Sequence, residues 1–372
     1  MRIVCSKSEL LKGVNTVSKA VPIRTTMSIL ECILIDASND SIKLTANDME
    51  IGIETTIQGS IEEKGIIAID AKFLSDVVRK LPDNDVIIST GDNYQTSIVC
   101  RESNLHFDIP GKSGEDFSNI PFISRNEPIE ISEFTLKELI KQTIFSTADN
   151  DSNKMMMGEL FEIEGDNLRV TALDGHRLAI RNIKLKNSYD NKKVIVPAKT
   201  LNELSKIVPG FAEDMVSIYI TDNNIIFEFD ETVVVSRLIE GEFFKLDHML
   251  SKDYQTKVRI NKKQLLDSID RASLMAKEGN KKPIIMDITD TNLNLSITST
   301  MGSMNEDIGI NKEGVDIKIG FNPKFYMDAL KVIDDEEIEV YMVDYKAPCY
   351  IKDVEESYMY IILPINLNNV RQ

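Results

Sequence analysis

No tryptophan occurs anywhere in the sequence, and histidine appears only three times, at His106, His176 and His248. So few and so dispersed, the histidines give no metal-ligand spacing. The four cysteines (Cys5, Cys32, Cys100, Cys349) are equally scattered, with no CxxC pair. That argues against a disulfide framework or a zinc ribbon and predicts four packed thiols in a reducing cytoplasm. No apolar run reaches the 18 residues that a membrane-spanning helix requires. Met1 to Lys7 holds no apolar stretch long enough for a secretory signal, so a cytoplasmic location is expected. No GxGxxG follows a predicted strand, and neither HExxH nor GxSxG appears. Pro110-Gly111-Lys112-Ser113 looks like the end of a phosphate loop, but the glycine needed five positions earlier is His106. A surface turn is the better reading. Acidic residues are abundant without any pairing that suggests general acid–base work, and no cofactor or metal is expected.

Positive charge is also short. Lysine and arginine number 43 against 60 aspartates and glutamates, a net charge of −17. A protein that is basic all over is excluded. A basic stripe on an otherwise acidic surface is not, because binding to phosphate depends on where the charge sits.

What the chain does contain is repetition. Ala71-Lys72-Phe73-Leu74-Ser75-Asp76-Val77-Val78-Arg79 is echoed by Ala198-Lys199-Thr200-Leu201-Asn202-Glu203-Leu204-Ser205-Lys206 and by Pro323-Lys324-Phe325-Tyr326-Met327-Asp328-Ala329-Leu330-Lys331. The lysines lie 127 and 125 positions apart. In each copy a base, an acid four residues on and a base seven residues on share one helical face. Apolar residues fill another: Leu74, Val77 and Leu81; Leu201, Leu204 and Val208; Tyr326, Ala329 and Ile333. A second helical motif opens each third, near Ser8 to Val14, Lys137 to Thr143 and Lys263 to Ile269. A short extended piece precedes it, clearest at Ile129-Glu130-Ile131 and Val258-Arg259-Ile260.

Alternating stretches such as Cys32 to Asp36, Ser41 to Ala46, Ile51 to Thr56, Val86 to Ser89 and Ser97 to Val99 read as half-buried strands. Ser38-Asn39-Asp40, Glu164-Gly165-Asp166-Asn167 and Asp222-Asn223-Asn224 read as hairpin connections. Each third is therefore helix, strands, helix, strands: an α+β layer with boundaries near residues 125 and 250. The expected domains are 1–125, 126–250 and 251–372. Phe117 and Phe243 occupy matching places near the ends of the first two.

One stretch stands out, Thr171-Ala172-Leu173-Asp174-Gly175-His176-Arg177-Leu178. An Asp-His catalytic pair is one interpretation. Thr45-Ala46-Asn47-Asp48 repeats its Thr-Ala-x-Asp frame 126 residues earlier, which predicts a structural, strand-end role for Asp174. Gly175-His176-Arg177 is what differs in the middle third, and a binding surface is the expected use.

Together these features resemble the bacterial DNA polymerase III beta subunit family, the processivity sliding clamps. The resemblance covers the whole chain. It rests on the threefold repeat, the Thr171 to Leu178 stretch, Val196-Pro197-Ala198-Lys199, Gly320-Phe321-Asn322 and the terminal Tyr360-Ile361-Ile362-Leu363-Pro364-Ile365. It implies the DNA clamp fold, with head-to-tail homodimers closing a ring of six units around duplex DNA, helices inside and strands outside. It assigns Arg24, Lys72, Arg79, Lys199 and Lys206 to the DNA-facing surface. It implies a partner-peptide pocket lined by Leu173, Gly175, His176, Arg177, Leu178, Phe244, His248, Met249, Asn322, Phe325, Leu363, Pro364 and Ile365. It places Phe107, Leu274 and Met275 at the dimer contact. The implied partners are duplex DNA without sequence preference, a second copy, the polymerase III alpha subunit, the clamp loader and other replication and repair proteins carrying a short clamp-binding peptide, with no membrane. Opening and closing are expected to draw on a loader's ATP.

Three departures from the family pattern bear on these sites. Phe244 stands where relatives commonly carry proline, the loop from Asp149 to Lys154 offers only one base, and residues 368–372 run past Leu367, where the resemblance implies a terminus lying beside the pocket. Two rival classes remain at this level. One is an enzyme using Asp174 and His176, in which His176→Ala abolishes turnover; the other is a ring scaffold with no DNA inside.

Overall fold

The computed structural model describes residues 1–118, 120, 125, 127–150, 153–246, 253–276 and 282–366. Among the described residues, six α-helices occur where the two repeated motifs predict them. They are α1 (Lys7–Val17), α2 (Ala71–Lys80), α3 (Glu133–Thr143), α4 (Ala198–Ile207), α5 (Lys262–Ser273) and α6 (Pro323–Val332). Local chemistry sets the starts of most of them. Ser6, Asp70, Asn261 and Asn322 each accept a backbone N–H of the first turn at α1, α2, α5 and α6, and the Ser132 hydroxyl does so for Thr135 at α3. Pro323 opens α6, where its missing N–H costs nothing. The apolar face of each second helix is buried as its spacing requires, from Leu74, Leu201 and Tyr326 at 0% exposure to Val77 at 5%. All four cysteines are buried free thiols. Burial pushes the Cys349 thiol up to about 12, so it is not poised as a nucleophile.

The chain forms two compact units, Met1–Leu136 with Lys199–Leu238, and Lys137–Ala198 with Ile239–Gln372. The middle third is thus shared out, and antiparallel sheet pairing is the reason. In the first unit, Ile51–Ile57 ends the run of strands that residues 1–125 contribute side by side to one sheet, and it pairs with Thr232–Arg237. Thr55 faces Thr232 with their hydroxyls 2.8 Å apart. This joins strands of two thirds into one nine-stranded sheet, beside a five-stranded sheet that runs from Ser60–Glu63 at one edge to His106–Pro110 at the other. In the second unit, Arg177–Pro197 pairs with Tyr358–Ile362 inside a seven-stranded sheet. A four-stranded sheet, Gly302–Gly309, Asn292–Ser299, Ile284–Thr289 and Ile317–Phe321, completes that unit. Its main core packs α5 and α6 with these strands, and Phe321 and Tyr326 meet edge to face at 4.9 Å.

Two local expectations change. Glu164 to Asn167 is not a hairpin connection; it lies within the long strand Gly158–Leu173. Gly165 adopts a left-handed φ of 59°, and the register jumps from Gly165 opposite Tyr189 to Asn167 opposite Lys184. The turn chemistry makes a bulge rather than a reversal. Gly111 does not sit in an open surface turn either. A Cβ there would stand 2.7 Å from Ile67 Cδ1 and 2.8 Å from the Tyr94 carbonyl, so close backbone approach explains the glycine.

Candidate functional site

The Thr-Ala-x-Asp frame builds the same turn twice. Asp48 Oδ1 accepts from the backbone N–H of Glu50 and Ile51 at 2.9 and 2.8 Å. Asp174 Oδ1 accepts from His176 and Arg177 at 2.9 and 3.1 Å. The residue after each aspartate is left-handed, Met49 at φ 75° and Gly175 at φ 82°. Asp174 is therefore occupied by backbone and by Arg177, whose Nε donates to Oδ2 at 2.9 Å. The His176 ring turns instead to Phe325, stacked at 5.8 Å between centroids.

Arg177 ties this turn to α6. Its guanidinium is buried, donates to Asp328 at 2.6 Å and lies over the rings of Phe325 and Phe145 at 4.6 and 5.4 Å. Lys324 reaches the same Asp328 at 2.8 Å. The chain after the last strand is held here too, because Leu363 N–H donates to the His176 carbonyl and Ile365 N–H to the Gly320 carbonyl.

Beside this brace opens a cavity of about 250 Å³, lined by Leu173, Gly175, Arg177, Leu178, Phe244 and Leu363 together with Met156, Lys245, Leu246 and Ile361. Its floor is an apolar cluster of its own, including Leu160, Ile180, Ile195 and Phe243. Phe244 packs edge to face on Phe243 at 5.7 Å and so forms a wall. His176 and Phe325 stack on each other without lining the cavity, Asn322 caps α6, and Pro364 and Ile365 are half-buried beyond Leu363. His248, Met249 and residues 368–372 lie outside the described residues. Sequence reasoning did not single out four of the lining residues. Lys245 and Leu246 continue directly from Phe244, and Ile361 alternates with Leu363, so both signals were available. Met156, on the short helix Lys154–Met157, had none.

The predicted basic residues Arg24, Lys72, Arg79, Lys199 and Lys206 are all exposed and all belong to the first compact unit. Arg79 lies 3.8 Å from Asp76, Lys206 2.7 Å from Glu203, and Lys199 contacts Asp48. Arg24 and Lys72 make no ion pair with a described residue. Phe107 is half-buried on the edge strand His106–Pro110, Leu274 is 52% exposed, and Met275 packs partly on the core of its unit. No helix of the described residues is long and apolar enough to cross a membrane.

The repeated helix pairs, the shared sheets and the apolar cavity beside Arg177 define a three-domain clamp architecture, and solved structures agree. A crystal structure assigned to the DNA polymerase III beta subunit of Eubacterium rectale superposes with a TM-score of 0.96 at 66% identity, covering 99% of this chain and 100% of that one. The DNA polymerase sliding clamp of Bacillus subtilis gives 0.94 at 33% identity over 98% and 99%. The beta sliding clamp of Staphylococcus epidermidis is 34% identical over 98% of this chain and 99% of its own. Family models of the N-terminal, central and C-terminal domains of the DNA polymerase III beta subunit match residues 1–121, 130–245 and 247–366. The chain belongs to the DNA polymerase III beta subunit family, and the function that goes with it is that of a replication processivity clamp.

Proposed function

We propose that this chain performs the clamp function without catalysing a reaction, as a head-to-tail homodimer whose ring surrounds duplex DNA in the cytoplasm. The observation that carries the reading is the attenuated basic surface of the first unit. Exposed cations on α2 and α4 stand beside carboxylates that temper them, on a chain of net charge −17. Arg24, Lys72, Arg79, Lys199 and Lys206 would meet phosphates irrespective of base sequence. Few net phosphate contacts release few counterions, so the duplex is centred rather than gripped and the ring can slide. Topology then supplies retention.

The cavity beside Arg177 would receive the short peptides of the polymerase III alpha subunit, the clamp loader and other replication and repair partners. His176, Asn322, Phe325, Pro364 and Ile365 would support or flank it, with His248 and Met249 completing the set. Burying a Leu or Phe anchor in such a site contributes about 1.5–3 kcal/mol. Micromolar binding needs roughly 8 kcal/mol, so backbone hydrogen bonds must add to two anchors. Phe107, Leu274 and Met275 would form the dimer contact, supported by the sheet edge at His106–Pro110 and the exposure of Leu274. Asp174 is committed to its turn and to Arg177, which disfavours a catalytic Asp-His pair.

The test is loading onto nicked circular DNA by a clamp loader, followed by linearisation at moderate salt. Retention on circles and loss after the cut is the expected result. Equal retention on linear DNA, or none on circles, would rule out topological holding.

A further inference from the structure

One corner of the fold is built in every third, and the middle copy differs from the other two. In each, the first residue of the opening helix donates its backbone N–H to a carbonyl beyond the second helix: Lys7 to Asn84 at 3.0 Å, Glu133 to Asp214 at 2.9 Å and Lys262 to Glu336 at 2.9 Å. Three residues separate the second helix from that carbonyl in the first and last thirds (81–83 and 333–335), but six do so in the middle third (208–213). The short corners are tied by a lysine, with Lys7 Nζ 2.9 Å from Asp83 and Lys262 Nζ donating to the Ile333 carbonyl. The long corner is tied by an acid. Glu133 is fully buried, and its Oε2 accepts from the backbone N–H groups of Gly210 and Phe211 at 2.9 and 3.1 Å. Its Oε1 is buried with no hydrogen-bond partner among the described residues. Phe134 N–H donates to the Phe211 carbonyl at 3.2 Å, which makes neighbours of two phenylalanines that are 53% and 63% exposed. The first and last thirds put Ser8 and Lys263 where Phe134 stands.

Folding alone gives no reason for this arrangement. Burying a carboxylate with an unpartnered oxygen is destabilising, and here it holds a loop whose phenylalanine faces water. Exposed apolar side chains grouped in this way mark an interaction surface. The same loop carries Glu213 and Asp214, both exposed and in no ion pair with a described residue. We propose that the start of α3 and the loop after α4 dock a protein segment that sets an arginine or lysine beside an apolar side chain. Phe134 and Phe211 take the apolar group. Glu213 and Asp214 take the cation, which the ring faces also attract. The same carboxylates repel an acidic segment or a phosphate backbone, and a second copy with net charge −17 is a poor match for them. Every residue of this corner belongs to the first compact unit, whereas the cavity beside Arg177 belongs to the second. The proposal therefore needs neither the ring nor the cavity to be read as above.

The test is selection of displayed short random peptides on the full-length chain, with subtraction on the double variant Phe134→Ser, Phe211→Ser. Both side chains are exposed, so the double variant should keep the wild-type melting curve. If it melts early, Phe211→Ala alone serves for the subtraction, since Phe211 lies outside any helix or strand. Peptides that need only the cavity beside Arg177 bind both proteins and drop out. The expected result is a set specific to the wild type in which Arg or Lys stands next to an apolar residue. In polarisation titrations, labelled members should lose affinity about tenfold when either phenylalanine is replaced. Glu213→Gln or Asp214→Asn should each weaken them about 1.4-fold to fivefold, and high salt should do the same. The absence of any wild-type-specific peptide overturns the proposal, as does a set that is neutral or acidic. Affinity unmoved when Glu213→Gln and Asp214→Asn are combined overturns the role of the carboxylates and with it the basic partner. Self-association of the wild type that the double variant lacks, measured by sedimentation, would give the surface to a second copy and overturn it as well.

Discussion

Replacing Glu159 with glutamine should stabilise the protein above neutral pH and give no advantage in acid. Glu159 is fully buried on the strand Gly158–Leu173, and desolvation pushes its carboxyl up to about 8 from 4.5, with the Thr143 hydroxyl working against the shift. Hydrogen-bond geometry points the same way. Thr143 Oγ1 lies 2.8 Å from the Leu139 carbonyl and 3.0 and 3.1 Å from the two Glu159 oxygens, and its single proton can serve only one of them. Given to Leu139, it leaves the Thr143 oxygen to accept from a protonated Glu159. A folded-state value above the unfolded one means that the protonated carboxyl contributes its full stability below pH 4.5. That stability is lost as pH rises through about 8. The slope is about 1.4 kcal/mol per pH unit, or about 5 kcal/mol across the window as an upper bound.

Glutamine keeps the shape and can donate to Thr143, but its second N–H has no evident partner and costs about 1 kcal/mol. The variant should therefore match the wild type or lie about 1 kcal/mol below it at pH 5, and exceed it by about 3 kcal/mol at pH 8. A chain of several domains need not unfold in one step. Thermal melts of both proteins should accordingly be paired with hydrogen exchange of the segments 136–146 and 158–173. A variant that melts below the wild type at pH 8, or a difference that does not change with pH, would refute the reasoning.

Arg177→Ala leaves Asp174 and Asp328 without their shared guanidinium, and breaking such a buried pair costs about 3–5 kcal/mol. Denaturation midpoints and anchored-peptide affinity should both fall, with Arg177→Lys intermediate because it keeps charge but loses the fork and the ring contacts; an unimpaired Ala variant contradicts the brace. Lys72→Glu with Lys199→Glu should flatten the salt dependence of transient binding to linear duplex by about two in the log–log slope. An unchanged slope, measured by polarisation over a salt series, would place DNA elsewhere. On α4, Leu204→Ala should cost about 2–5 kcal/mol in denaturant titration, against about 0.5 kcal/mol or less for Lys206→Ala on the exposed face. Similar losses for the two would contradict the burial of Leu204 and the exposure of Lys206 on opposite faces of α4.

Local and periodic features follow from residue order. Helical spacing marked which sides of α2, α4 and α6 are buried, since burial of an amphipathic face follows directly from residue order. The repeat at about 126 residues exposed the threefold plan, and the Asp48 and Asp174 turns were legible because an aspartate bonding its own following N–H groups needs no distant partner. Tertiary structure alone decided what depends on residues far apart in the chain. Pairing of Ile51–Ile57 with Thr232–Arg237, and of Arg177–Pro197 with Tyr358–Ile362, divides the middle third between two units, and nothing in the sequence of these strands names the partner each one finds. Arg177 finds Asp328 151 positions away, Met156 reaches the cavity from a short irregular helix, and Glu159 loses its water under α3. A side chain's charge is written in the sequence. Whether that charge is matched, as at Arg177 by Asp328, depends on which distant carboxylates the packed chain brings within reach.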